Sequence, residues 1–182
     1  GALREGEALA ESLEKDKRLA DLFRPPSEIM HPGSFGEARQ EAKLSGRWLL
    51  VNIQAESEFD SHRLNRDTWP NETLQLLLES LCVFWQQYEA SGEGELFCSR
   101  YRVSKYPHLA MIHPRTGLCL WEKAGFVSAE FLCDKVSDFC GRHSLDDDDD
   151  DCDGALLLSP GSRKAKIAKP GEGEKAPEGG AG

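Results

Sequence analysis

The 182-residue chain is long enough for one ordinary domain plus tails, and it carries 22 basic against 32 acidic side chains for a net charge of −10. Residues 146–182 hold ten acidic and five basic side chains, so the rest is only mildly acidic and has no basic stripe for neutralising phosphates, which argues against a nucleic-acid partner. No apolar run approaches the ~20 residues of a membrane span, and the opening Gly1-Ala2-Leu3-Arg4-Glu5 has neither a start methionine nor a signal segment, as expected of a fragment of a longer protein.

Residues 5–23 are charged with leucines and alanines at loose helical spacing, which predicts an exposed or partly docked helix ended by Pro25 and Pro26. Ser34 before Phe35 and Glu37 is a helix-start signature, and Phe35, Ala38 and Ala42 give that helix one apolar face before Gly46 ends it. Trp48 to Ile53 is a nearly unbroken apolar run, the habit of a strand covered on both faces. An irregular polar stretch is expected next, then a helix on Leu74, Leu77, Leu78 and Leu81, capped by Asp67 or Thr68 with Pro70 in its first turn.

Cys82-Val83-Phe84-Trp85 reads as a second buried strand, and Glu93 to Arg102 as a helix with Leu96, Phe97 and Tyr101 on one face. His108 to Ile112, the turn Pro114-Arg115-Thr116-Gly117 and the returning Leu118 to Lys123 predict a hairpin. Ser128 caps a last helix on Phe131, Leu132, Val136 and Phe139. The order α-β-α-β-α-β-β-α predicts an α/β sandwich, a mixed central sheet flanked by helices. Residues 144–182, with the Asp146 to Asp151 run and a Gly-, Pro- and Lys-rich end, are expected to form a disordered, acidic, solvated tail.

The six cysteines, Cys82, Cys98, Cys119, Cys133, Cys140 and Cys152, form no C-x-x-C pair and read as free thiols in a reducing compartment. Cys133, Cys140 and His143 fall near one helix face, but without ligands from a second segment no metal is expected there. Ser61 and His62 are neighbours and point about 100° apart on a helix, so they make no nucleophile–base pair, and no G-x-S-x-G elbow exists.

Several phrases resemble the UAS domain, a thioredoxin-like module of UBX-domain adaptor proteins: Leu19 to Pro26, Gly33-Ser34-Phe35, Trp48 to Gln54, Leu64 to Trp69, Phe84-Trp85-Gln86, Tyr106-Pro107 and His113 to Gly117. The resemblance covers residues 19–143, with 1–18 as a helical or linker segment and 144–182 as the tail. It implies a thioredoxin-like fold with a cis-proline at Tyr106-Pro107. It also implies an adaptor that links ubiquitylated proteins and ubiquitin ligase components to the valosin-containing-protein AAA+ ATPase, through ubiquitin-binding and UBX modules not found in this stretch. Nucleus and cytoplasm are the implied locations, and no cofactor is implied.

Thioredoxin chemistry needs a low-pKa thiolate at the start of the helix after the first buried strand and a resolving cysteine beside it. Gln54 to Leu64 contains no cysteine, although close relatives in the family can carry C-x-C at the positions of Ser61 and Arg63. No catalytic residue is therefore expected, and a thiol–disulfide oxidoreductase is disfavoured. The candidate interaction surface is Phe59, Asp60, Arg63, Asn65, Arg66, Trp69, Tyr106 and Pro107. Some relatives are implicated in sensing long-chain fatty acids. For that alternative, a module controlling self-association, Arg63, Arg66 and Lys105 are the carboxylate partners that charge suggests.

Overall fold

The computed structural model describes residues 2–146; the acidic run beyond Asp146, the basic stretch 162–169 and Cys152 lie outside the described residues. Among the described residues, six α-helices, one π-helical turn and four strands follow in order: α1 Ala2–Leu22, α2 Phe35–Ser45, β1 Trp48–Gln54, α3 Phe59–Arg63, the π turn Leu64–Thr68, α4 Glu72–Leu81, β2 Cys82–Tyr88, α5 Gly92–Tyr101, β3 His108–Ile112, β4 Cys119–Ala124 and α6 Ala129–Arg142. The sheet runs β2-β1-β3-β4. β1 and β2 are parallel, with Leu50 opposite Phe84, while β3 is antiparallel to both β1 and β4. A bulge at the start of β4, between Cys119 and Trp121, shifts the register opposite Met111 and Ile112 of β3, which is a common way to blunt an edge strand.

Strand alternation sorts the apolar residues onto two faces. Trp48, Leu50, Phe84, Leu109 and Met111 meet Leu74 and Leu78 of α4 and Leu132, Val136 and Phe139 of α6. Leu49, Val51, Ile53, Trp85, Ala110 and Ile112 meet Phe35, Ala38 and Ala42 of α2 and Phe97 and Tyr101 of α5. The mixed sheet between helices is the expected architecture. Burial differs at two positions: Leu96 is 68% and Phe131 42% exposed, so each sits off its helix's core stripe.

Local chemistry sets the helix ends. Ser34 and Glu37 form a reciprocal capping box, and Gly46 closes α2 at φ 63°, in the left-handed region. α4 is capped by Asn71, whose side chain accepts from the Leu74 N–H at 3.0 Å, and not by Asp67 or Thr68. The cause lies just upstream. The expected irregular stretch forms α3 and then a π-helical turn, Leu64–Thr68, closed by Trp69 N–H donating to Leu64 C=O at 3.0 Å. An i→i+5 turn brings Leu64 and Trp69 onto one side, and both are fully buried. It also holds Thr68, which donates to Val127 C=O, inside the core, away from any capping role.

Candidate functional site

The end of β1 and the start of α3 form the position where thioredoxin chemistry would sit. Ala55 N–H donates to Ser61 Oγ at 3.1 Å, and Ser61 is fully buried. The His62 ring nitrogen bonds the Glu56 carbonyl at 2.8 Å. Serine and histidine therefore face separate backbone partners and form no catalytic pair. Their hydrogen bonds close the loop between β1 and α3.

Behind this loop lies a network of side-chain amides. Gln54 Nε2 donates to Asn52 Oδ1 at 2.8 Å and to Asn65 Oδ1 at 2.9 Å, while Asn52 Nδ2 donates to His108 C=O at 3.1 Å. Asn65 Nδ2 returns to Gln54 Oε1 and to the Phe23 carbonyl, each at 3.1 Å, and Gln86 Nε2 reaches Asn65 Oδ1 at 3.3 Å. All four amides are buried. Asn65 is thus the bolt joining the π turn, two strands and the segment after α1. Such a network is stabilising only while its members are paired.

In front of the loop the surface is aromatic and charged. Phe59 is 60% exposed, and the Phe23 ring lies 6.3 Å from Phe59 and 6.0 Å from His62, centroid to centroid. Arg63 pairs with Asp60 at 3.1 Å and lies 3.8 Å over the Phe126 ring. Arg66 bonds both oxygens of Asp67, at 2.6 and 2.7 Å, and lies 5.4 Å from the Phe23 ring centroid. The fork–fork hydrogen bonds hold the Asp67 carboxyl below its ordinary pKa and raise that of Arg66.

The structure therefore unites Phe59, Asp60, Arg63 and Arg66 on one surface and puts Asn65 beneath it. Trp69 is core, 4.6 Å from the Phe84 ring. Tyr106-Pro107 is a cis peptide, as the resemblance implies, but Tyr106 packs on the α5 side, its hydroxyl 3.6 Å from Cys98 Sγ, and Pro107 is buried. The Pro107 carbonyl accepts from the Gly125 N–H at 2.8 Å, next to Phe126, so the cis peptide borders the Arg63–Phe126 contact with its ring turned into the core. Sequence reading missed Phe23 and Phe126 as members of the Phe59 surface. It also missed the amides, whose signal was polar Asn52, Gln54 and Gln86 inside strand runs.

No described thiol sits at α3. Burial pushes the Cys119 thiol up to about 12 and raises Cys98 and Cys133, whereas Cys140, on α6, is lowered by its hydrogen bond with Cys82. His143 stacks on Phe139 at 4.3 Å, and no group of three or more His, Cys, Asp or Glu among the described residues is placed to hold a metal ion. Burial pushes the His108 imidazole down to about 4, with Glu122, 3.5 Å away, partly exposed to solvent that weakens its opposing pull.

Comparison with known proteins agrees with this geometry. The thioredoxin-like family matches residues 29–114. A UBX domain-containing protein 7 homolog of Dictyostelium discoideum is 42% identical over 132 residues, 72% of this chain and 26% of that protein. Plant UBX domain-containing protein 7 of Arabidopsis thaliana is 38% identical over 66% of this chain and 26% of its own length. UBX domain-containing protein 2 of Schizosaccharomyces pombe is 36% identical over 76% of this chain and 32% of its own length. The chain thus spans about a quarter to a third of these relatives. A thioredoxin from Thermus thermophilus superposes with a TM-score of 0.55 at 20% identity, covering 62% of this chain and 88% of the thioredoxin, a likeness of fold alone.

Proposed function

Because the chain belongs to the thioredoxin-like domains of UBX domain-containing proteins, we propose that it is a non-catalytic interaction module of a ubiquitin-pathway adaptor. In this reading the whole protein links ubiquitylated clients to the valosin-containing-protein AAA+ ATPase for proteasomal degradation, in nucleus and cytoplasm. The domain contributes a rigid recognition surface. One observation carries the reading: at the redox position the scaffold holds Ala55 and Ser61 in a closed hydrogen bond, with an exposed Phe59–Arg66 surface in front of it.

The surface has the composition of a protein-binding patch, an aromatic anchor beside arginines that are already oriented by their carboxylates. Arg63 and Arg66 are both paired, so a fatty-acid carboxylate would have to displace Asp60 or Asp67. The test is capture from a reduced lysate by the wild-type chain and by Phe59→Asp. Ubiquitin ligase components or the ATPase retained by the first and lost by the second support the reading. Turnover in a disulfide-reduction assay, or a gel-filtration shift on adding oleate without partner capture, would replace it with an oxidoreductase or a lipid sensor.

A further inference from the structure

A second surface lies where β2 begins. A groove of about 710 Å³ runs between residues 28–31, α4 and the start of β2. Met30 bridges Phe84 in parallel, and His31 N–H donates to Phe84 C=O at 2.7 Å, so a short extended piece covers part of the sheet edge. The floor is apolar, formed by Ile29, Met30, Leu78 and Phe84, and Leu76 stands 68% exposed beside it. The rim is acidic: Glu28, Glu41, Glu72 and Glu79 all line it. Arg47, the one arginine among the lining residues, is engaged with Glu79 C=O at 3.0 Å, Cys82 C=O at 3.3 Å and Glu41 at 3.4 Å, and Arg24 beside the groove forms an exposed pair with Glu28 at 3.2 Å. An occupant should therefore offer apolar side chains followed by positive charge.

The described chain ends beside this groove. Leu145 and Asp146 line a cleft of about 380 Å³ with Lys43, Arg115, Ser80 and Leu81. The C-terminal turns of α2 and α4 divide the two spaces: Glu41 and Glu79 face the groove, Lys43 and Ser80 the cleft. Asp146, on the Lys43 side of that divide, is followed in the sequence by five more aspartates. Ten residues further on the sequence reads Leu156-Leu157-Leu158, then Arg163, Lys164, Lys166 and Lys169, with no acidic residue from 154 to 169. The order of charge along the chain, acidic then basic, matches the order of charge across the surface, basic cleft then acidic groove.

We propose that residues 156–169 of the same chain dock in this groove, the leucines on its apolar floor and the four cations among Glu28, Glu41, Glu72 and Glu79. Ten residues reach roughly 33 Å at full extension, ample to cross two helix ends. A short tether raises the local concentration of the segment to the order of millimolar, so even a weak contact is populated. The leucines supply the free energy and the exposed charges supply register, a contribution that salt screens. The contact shields the groove from other basic, apolar peptides until one of them displaces the segment. It is independent of the Phe59 surface.

The experiment uses the full chain at micromolar concentration. Carbodiimide joins lysine amines to carboxylates in direct contact, and the monomer peak is digested and mapped by mass spectrometry. Bonds from Lys164, Lys166 or Lys169 to Glu28, Glu41, Glu72 or Glu79 are expected. They should fall roughly tenfold in a variant with Leu156, Leu157 and Leu158 all changed to Ser, the loss expected when about one leucine's transfer free energy is removed. An equal spread of bonds to Glu56, Glu58, Glu93 and Glu95 would mean diffuse attraction and overturn the docking. Bonds found only between isotopically light and heavy copies would make the occupant a second chain and overturn it too, as would no bonds at all.

Discussion

The π turn and α1 are held by opposite means. The π turn, five residues long, buries Leu64, Asn65 and Thr68 and is bolted to two strands through Asn65. α1 is 21 residues long, and every described side chain from Arg4 to Leu22 is exposed. The shorter element has irregular geometry and tertiary support, and the longer one has regular geometry with local support alone. Regularity in a chain is therefore a poor guide to where its stability lies. An isolated helix is marginal in water, whereas a buried network takes its stability from the whole fold.

The hardest way to break that contrast is to remove the residue that makes the π turn worth forming. Trp69→Ala should cost about 3–5 kcal/mol, the usual range for a buried tryptophan, read as a lower denaturant midpoint. A loss under about 1 kcal/mol would mean that the turn is not anchored by its apolar pair.

Acid offers a second lever, because Asn52 joins the amide network to the His108 carbonyl. The buried imidazole is lowered to about 4 from an ordinary value of 6.5. As pH falls from 6.5 toward 4, the unfolded chain takes up its proton first, so stability falls across that window and is unaffected by this group above it. The loss amounts to about 3 kcal/mol in total. A stability-versus-pH curve for His108→Gln should lose that part of its slope; a curve parallel to wild type would show that the carboxylates account for the acid sensitivity.

Asn65→Leu comes next. It leaves Gln54 and Gln86 each short of a buried partner and releases the Phe23 carbonyl, for about 2 kcal/mol. Hydrogen exchange should then speed up across residues 54–68 before the rest of the sheet. Uniform acceleration would place the network in the global core and dissolve the distinction from α1.

These residues also mark what the sequence made legible. Period and capping gave the strands and α2, α4, α5 and α6, because Val51, Leu78 or Val136 each sit in a repeat that only one backbone can bury. The UAS-type phrases carried the thioredoxin-like fold and the cis bond before Pro107. The site was half legible. Phe59, Asp60, Arg63 and Arg66 share a surface because they are close along one helix and its extension, but Phe23 and Phe126 reach it across the fold, which no local pattern encodes. Asn71, not Asp67, caps α4 because one wider turn upstream delays the helix start, and a π turn leaves no periodic signature.

The smallest effect tests the other arm of the contrast. Leu13→Gly in α1 should cost about 1 kcal/mol of local helix stability, the propensity difference for an exposed helix interior. Leu13 is 61% exposed, so no cavity is opened and no packed neighbour is lost. Helix content by circular dichroism should therefore fall, while the cooperative melting midpoint of the sheet and its flanking helices stays where it was. A drop in that midpoint as large as the local cost would require α1 to be coupled to the core through Leu22 and Phe23. Phe23 C=O provides a route, since it accepts from Asn65 just past the helix's last turn. Pairing Leu13→Gly with Asn65→Leu then decides the matter. Additive costs mean that the helix and the π turn are separate cooperative units, and a combined cost smaller than the sum means that the Phe23–Asn65 bond transmits stability between them.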